Sequence, residues 1–251
     1  MNLQDKVALV TGSAQRVGRT IALSLAQRGC HLVIHYRRSR QEALETARRA
    51  EALGVKTLCV RADLQKASSV RSLFAQIRRT FKRLDILVNN AAVFFKTHFQ
   101  RLTESEWDET LDANLKGPFL CALEAGKWMK RDGSGKIVNI ADWCGIKQYA
   151  DYLPYCISKA GVIALTKALA IELAPKVQVN CVAPGPVLMP KGLSKKEARQ
   201  VKGLTLLKRI GTPQDVAQAV LFFIESTDFA TGSTLFIEGG ELLSSAGSPY
   251  V

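Results

Sequence analysis

At 251 residues, with 47% hydrophobic and 23% charged residues, the chain is long enough for one large domain with a buried sheet and too apolar to be largely disordered. Its formal charge of +13 is compatible with a nucleic acid, a membrane surface or a small anion as partner. Aromatic residues make up only 7%, and the basic residues are scattered in pairs such as Arg48-Arg49, Arg78-Arg79 and Lys195-Lys196, which argues against a nucleic-acid reader and for a solvated basic surface.

In chain order, short β-rich runs occur over 7–10, 31–35, 57–61, 86–89, 136–140, 178–182 and 234–237. Between them lie longer segments with apolar residues at helical spacing, among them 42–53, 68–81 and 152–173. This alternation predicts right-handed βαβ units: an α/β, Rossmann-type, doubly wound parallel sheet with helices on both faces. No internal repeat or linker divides it, so residues 1–251 read as a single domain whose ligands belong at the carboxyl ends of the strands.

Six cysteines, at 30, 59, 121, 144, 156 and 181, include no CxxC pair and have no histidines at ligand spacing. They predict reduced thiols packed as small hydrophobes rather than a disulfide framework, and no metal site. Residues 1–6 run directly into the first apolar segment, and no apolar run approaches a membrane span; a cytoplasmic protein without a membrane or nucleic-acid partner is expected.

Three motifs carry chemistry. The loop from Thr11 to Gly18, including Gly12, Ser13, Arg16 and Val17, follows the first strand and opens a helix, where backbone amides can hold a pyrophosphate. The second strand ends in His35-Tyr36-Arg37-Arg38-Ser39, with guanidiniums where an acidic residue would bind the adenosine ribose of NAD. Arginine matches a phosphate in a bidentate way and Ser39 adds a hydroxyl, so NADPH/NADP+ is the expected cofactor. Tyr155 and Lys159 stand four residues apart on one predicted helix face, where an ammonium would lower the tyrosine pKa toward neutrality.

Together with Asp63-Leu64, Asn89-Asn90-Ala91-Ala92, Asn114-Leu115-Lys116-Gly117 and Pro184-Gly185, these motifs make the chain resemble the short-chain dehydrogenase/reductase family over about residues 3–240. The resemblance implies that Asp63 and Leu64 border the adenine and that Asn90, Ala91 and Ala92 line the cofactor. It further implies that Asn114 serves a water-linked proton relay, that Lys159 holds the nicotinamide ribose, and that Pro184, Gly185 and Val187 lead from the cofactor into a mobile substrate loop over about 187–206. A homotetramer is implied as well, with 152–173 and 234–237 at its interfaces.

Two positions depart from the general family pattern: Arg16 replaces a glycine, and Asp142, thirteen residues before the tyrosine, replaces a serine. Both departures resemble pteridine reductases, as do Arg37-Arg38-Ser39 and Phe94 after the Asn-Asn-Ala segment. A serine hydroxyl donates to the alkoxide formed in ketone reduction, whereas an ionised aspartate only accepts. Reduction of a pterin C=N bond needs a proton delivered to ring nitrogen, which a carboxyl kept neutral by apolar surroundings supplies. The expectation is an NADPH-dependent reductase of a small-molecule pterin (a dihydropteridine, dihydrobiopterin, dihydromonapterin or dihydrofolate), with catalytic Asp142, Tyr155, Lys159 and Asn114. Arg16, Phe94, Asp142 and Tyr155 would contact the substrate. Carbonyl reduction, as of a 3-oxoacyl thioester, is the alternative, and an NADP(H)-sensing protein the non-enzyme alternative.

Overall fold

The computed structural model describes residues 1–188 and 201–244. Seven strands form one parallel sheet in the order β3-β2-β1-β4-β5-β6-β7: β1 (Val7–Val10), β2 (His31–Tyr36), β3 (Thr57–Arg61), β4 (Ile86–Asn89), β5 (Gly135–Ile140), β6 (Val177–Pro184) and β7 (Thr234–Ile237). Strands β1, β4 and β5 are buried at every position, so β1 reads as an unbroken apolar run, and the polar side chains that β4 and β5 carry, Asn89, Lys136 and Asn139, are buried with hydrogen-bond partners. Strands β2, β5 and β6 run one or two residues beyond the predicted ends; β6 closes on Pro184, paired with Ile237.

Helices cover both faces, in agreement with the expected doubly wound architecture. One face packs α1 (Arg16–Ala26), α2 (Arg40–Glu51) and α7 (Pro213–Leu221) through Ile21, Leu25, Ala43, Ala47, Val216 and Val220. The other packs α3 (Ala67–Phe81), α5 (Gly117–Asp132) and α6 (Leu153–Leu173). In α3 the buried residues are Val70, Leu73, Phe74 and Ile77, the i, i+3, i+4, i+7 stripe of an amphipathic helix. Each such side chain contributes on the order of 1.5–3 kcal/mol by leaving water.

Helix α4 (Glu104–Leu111) starts at a capping box in which Thr103 and Glu106 satisfy each other's backbone amides. It passes into α5 through a π-helical turn at Asp112–Lys116, a local widening that periodicity does not reveal. All six cysteines are free, and all but Cys59 are buried, as the sequence predicts. No helix among the described residues is long and apolar enough to cross a membrane.

The order of connection reverses between β1 and β4, so the loops after these strands diverge and open a crevice at their carboxyl ends. Of the expected substrate loop, Met189, Pro190 and Gly192 lie outside the described residues, while Gly203 sits in a helical turn at 201–204.

Candidate active site

The crevice is a cleft of about 440 Å³ lined by Gly12, Arg16, Val17, Gly18, Tyr36, Arg37, Arg38, Ser39, Asp63, Leu64, Asn90, Ala91 and Ala92, all predicted from sequence. It also takes in His35, Gln65, Glu109 and Ala113, which sequence reasoning missed.

His35 explains the shape of the glycine-rich loop. Its Nδ1 accepts from the Gly12 amide at 3.0 Å, its Nε2 donates to the Ala62 carbonyl at 3.1 Å, and its own carbonyl accepts from the Ser13 amide at 3.1 Å. Burial drives its pKa down to about 4, so the ring stays neutral and keeps this pair of bonds. The amides of Gly12 and Ser13 are therefore occupied, and the anion-binding donors left are those at the start of α1, whose Gln15 cap makes no side-chain bond.

From the other side Asn90 clamps the loop, donating through Nδ2 to Thr11 O at 2.9 Å, while the amides of Asn90 and Ala91 donate to Thr11 Oγ1 at 2.9 and 3.0 Å. The approach is so close that a Cβ on Gly18 would lie 2.4 Å from Gly12 O. Arg16 has φ +55°, a left-handed conformation that costs a non-glycine residue roughly 1–2 kcal/mol. This is the physical reason a glycine suits position 16, and the arginine is held there against that cost.

A nicotinamide dinucleotide fits these features. Ser13 Oγ is buried without a hydrogen-bond partner, the α1 N-terminus is uncapped, and Ser39 caps α2 without a side-chain bond. Further along, the Gly185 amide donates to Ile237 O at 2.9 Å, which fixes the exit of β6, and Val187 packs against the core beside Pro184-Gly185.

The chemical groups gather at the ends of β5 and α6. Tyr155 Oη donates to Asp142 Oδ2 at 2.9 Å, and Asp142 Oδ1 accepts from the Cys144 amide at 2.9 Å, which starts a 3-10 turn at Trp143–Gly145. Burial raises the Asp142 pKa, opposed by the Cys144 amide and the Lys159 charge. The direction is that of a carboxyl moved into apolar surroundings.

The expectation for Tyr155 is corrected. Lys159 Nζ donates to Ile140 O at 3.0 Å and lies 5.5 Å from the centroid of the Tyr155 ring, and burial lowers its own pKa. Burial and the adjacent Asp142 carboxyl hold the Tyr155 phenol well above its ordinary value. The i, i+4 spacing put both residues on one face but did not reveal that the carboxyl, not the ammonium, meets the hydroxyl.

Asn114 sits in the π-helical turn and pairs with both backbone groups of Val93, accepting from N at 2.8 Å and donating to O at 2.9 Å; its amide also reaches Ser158 Oγ at 3.3 Å. Phe94 is 45% exposed, with one face stacked on Tyr152 at 4.7 Å and 10° and its ring also meeting Tyr155 at 4.7 Å and 73°. Tyr149 links Tyr152 to the buried Trp143, with ring centroids 5.3 and 5.4 Å apart. An aromatic wall thus stands beside the Tyr155–Asp142 pair. Its members at 149 and 152 have no regular spacing with Phe94, so only folding brings them together.

The Glu241 side chain is buried where the chain leaves β7, and one carboxyl oxygen lacks a partner. Burial, with Asp142 and Glu238 adding to it, raises its pKa to about 7. Nothing in the sequence singled it out.

A family model described as enoyl-(acyl carrier protein) reductase matches residues 12–241. Among curated relatives, the 3-oxoacyl-[acyl-carrier-protein] reductase FabG of Staphylococcus aureus is 36% identical over 239 residues, covering 94% of this chain and 97% of the relative. The (2S)-[(R)-hydroxy(phenyl)methyl]succinyl-CoA dehydrogenase subunit BbsD of Thauera aromatica is also 36% identical, over 97% of this chain and 99% of the relative. The crystal structure of acetoin dehydrogenase from Enterobacter cloacae superposes with a TM-score of 0.89 at 30% identity, covering 98% of both chains. With sheet order, loop geometry and the Tyr155–Lys159 pair in agreement, the chain belongs to the short-chain dehydrogenase/reductase family of nicotinamide-dependent oxidoreductases.

Proposed function

We propose that this oxidoreductase is an NADPH-dependent reductase of a pterin C=N bond. The observation that carries the reading is the 2.9 Å hydrogen bond from Tyr155 Oη to the buried carboxyl of Asp142. Burial raises the pKa of both groups, and a phenol hydroxyl set against a buried carboxyl is an arrangement suited to delivering a proton during reduction. NADPH, when bound, supplies the hydride. Tyr155 donates the proton toward the substrate, Asp142 orients the hydroxyl and resupplies it, and the Lys159 charge near the ring offsets the phenolate left behind. Asn114 fixes the backbone at Val93 beside the site and belongs to the proton path.

The aromatic wall at Phe94 favours a flat heteroaromatic substrate. Arg16, held at positive φ on the cleft rim, would bridge the pyrophosphate and the ring's polar edge. In this reading Tyr36, Arg37, Arg38 and Ser39 surround the 2′-phosphate, Asp63 and Leu64 the adenine, Asn90 to Ala92 the middle of the cofactor, Lys159 the nicotinamide ribose, and Pro184, Gly185 and Val187 the nicotinamide. The enzyme works as a cytoplasmic homotetramer.

A second reading, carbonyl reduction, is favoured by the relatives, whose names describe a 3-oxoacyl thioester reductase and a hydroxyacyl-CoA dehydrogenase. A neutral Asp142 could donate to a carbonyl oxygen as well, so the comparisons support this reading more directly than pterin reduction. The deciding experiment follows NADPH oxidation with dihydrobiopterin, dihydrofolate and a 3-oxoacyl thioester side by side. Pterin turnover is expected; rapid thioester reduction without pterin turnover would replace the first reading by the second, and no turnover of any oxidisable or reducible substrate, with NADPH still bound, would favour a sensing role.

A further inference from the structure

Beyond the ribose end of the cleft lies a hollow of about 390 Å³ lined by Arg37, Arg38, Arg61, Ala62, Asp63 and Ser69. Its charges divide unequally. Arg37 Nη2 lies 3.5 Å from Asp63 Oδ2 and donates to Gln65 Oε1 at 3.3 Å, so this guanidinium already faces a carboxylate. Arg38 and Arg61 form no ion pair among the described residues, although both line the same hollow.

Arg61 is the last residue of β3 and stands in register with Tyr36 at the end of β2. Its Nε donates to the Arg37 carbonyl at 3.3 Å, which fixes the plane of the guanidinium and leaves its two outer NH₂ groups available. Ser69 Oγ accepts from the Asp63 amide at 2.8 Å and keeps its hydroxyl proton to donate. The hollow thus presents two uncommitted guanidiniums and a hydroxyl at the end of the cleft where β2 and β3 stop.

We infer that Arg61 is a specificity-determining residue that binds the 2′-phosphate of NADPH together with Arg38, while Arg37 neutralises Asp63 and positions Arg61 through its carbonyl. The inference rests on the NADPH reading above. A phosphate dianion in the hollow would be repelled by Asp63 unless Arg37 stays paired with it, so Arg37 stands beside the phosphate as the counter-charge of Asp63 and the charge that captures the phosphate comes from the other two arginines. Arg61 meets that need from a neighbouring strand, with a planar fork matched to phosphate oxygens.

The test is calorimetric titration of the ligand-free enzyme with 2′,5′-ADP, which carries the 2′-phosphate, and with ADP, which lacks it. The wild type is expected to bind 2′,5′-ADP more tightly. Arg61→Ala should weaken 2′,5′-ADP about 10- to 100-fold, the range for a lost charge-assisted hydrogen bond, and leave ADP affinity close to wild type. Arg61→Lys should recover only part of the loss. Arg79→Ala, an exposed arginine in the last turn of α3, removes the same charge elsewhere and should move neither ligand. Retained ADP binding reports a folded site; if alanine abolishes it, Arg61→Gln, which keeps much of the side chain's length, is compared instead. A wild type indifferent to the 2′-phosphate overturns the NADPH reading and the inference together. A wild-type preference that survives loss of the Arg61 charge, or that falls equally in Arg79→Ala, overturns the role of Arg61 and leaves the NADPH reading standing.

Discussion

The two halves of the sheet solve different problems. Around β1 to β3 the chain builds a cleft from backbone: Gly12 and Gly18 allow loop and helix to touch, and His35 and Asn90 hold the loop by hydrogen bonds to main chain. At the ends of β5 to β7 it buries side chains that titrate, and Asp142, Tyr155, Lys159 and Glu241 all have pKa values moved by burial first. Loss of packing geometry should therefore damage the first half, whereas loss of a single proton-bearing atom should damage the second.

The largest expected effect is on proton delivery. Tyr155→Phe should lower turnover by about 10²–10⁴, the usual contribution of general acid catalysis, with NADPH affinity close to wild type by fluorescence titration. Asp142→Asn keeps the shape and removes the acid, so kcat should fall more than KM rises; an unchanged kcat would show that the carboxyl has no part in proton supply. Asp142→Ser should depress pterin reduction more than carbonyl reduction, and equal loss of both would remove residue 142 as a determinant of substrate class.

Gly18→Ala attacks the other half. With its Cβ placed 2.4 Å from Gly12 O, the loop must shift, at a cost of roughly 1–3 kcal/mol in urea denaturation and with weakened NADPH binding. Unchanged stability and affinity would show that the close approach is dispensable. Arg16→Gly is subtler. Relief of the left-handed strain, worth about 1–2 kcal/mol, opposes the entropy glycine adds to the unfolded chain, about 0.4–1 kcal/mol, so the net change in stability should stay within about 1.5 kcal/mol. Substrate KM should rise nonetheless, and an unaltered KM would remove Arg16 from the substrate site.

The smallest effects concern pH, and the two halves have opposite signs. Folding raises the pKa of Glu241 from 4.5 to about 7, so the folded chain binds this proton more tightly; the associated stability is complete below the ordinary value and is lost as pH rises through about 7. Folding lowers the pKa of His35 from 6.5 to about 4, so its contribution is present above the ordinary value and is lost as pH falls toward about 4. Thermal melts from pH 5 to 8 should show Glu241→Gln declining less than wild type, with the gap widest at pH 8. Parallel curves would show that Glu241 is not the source of the slope. In an NMR titration His35 should remain neutral until pH approaches about 4.

The sequence carried most of the nucleotide half, because a βα turn that approaches a phosphate must use glycine and a helix N-terminus, and these constraints act on neighbours in the chain. All seven strand positions were legible as short β-rich runs, though only the central ones are buried throughout, while β3 and β7 at the sheet edges are largely half-buried. The Asp142 substitution was legible too, but the direction of the Tyr155 shift was not, since it depends on how deeply the ring is buried and on which group meets its hydroxyl. The interactions of His35 with Gly12, Arg61 with Arg37, Tyr152 with Phe94 and Glu241 with Asp142 join separate segments, and no spacing along the chain signals them. Sequence alone thus determined the kind of fold and the residue types available for chemistry. Tertiary structure decided their ionisation and partnership, because desolvation and charge depend on distances set only when β2 meets β3 and β5 meets α6.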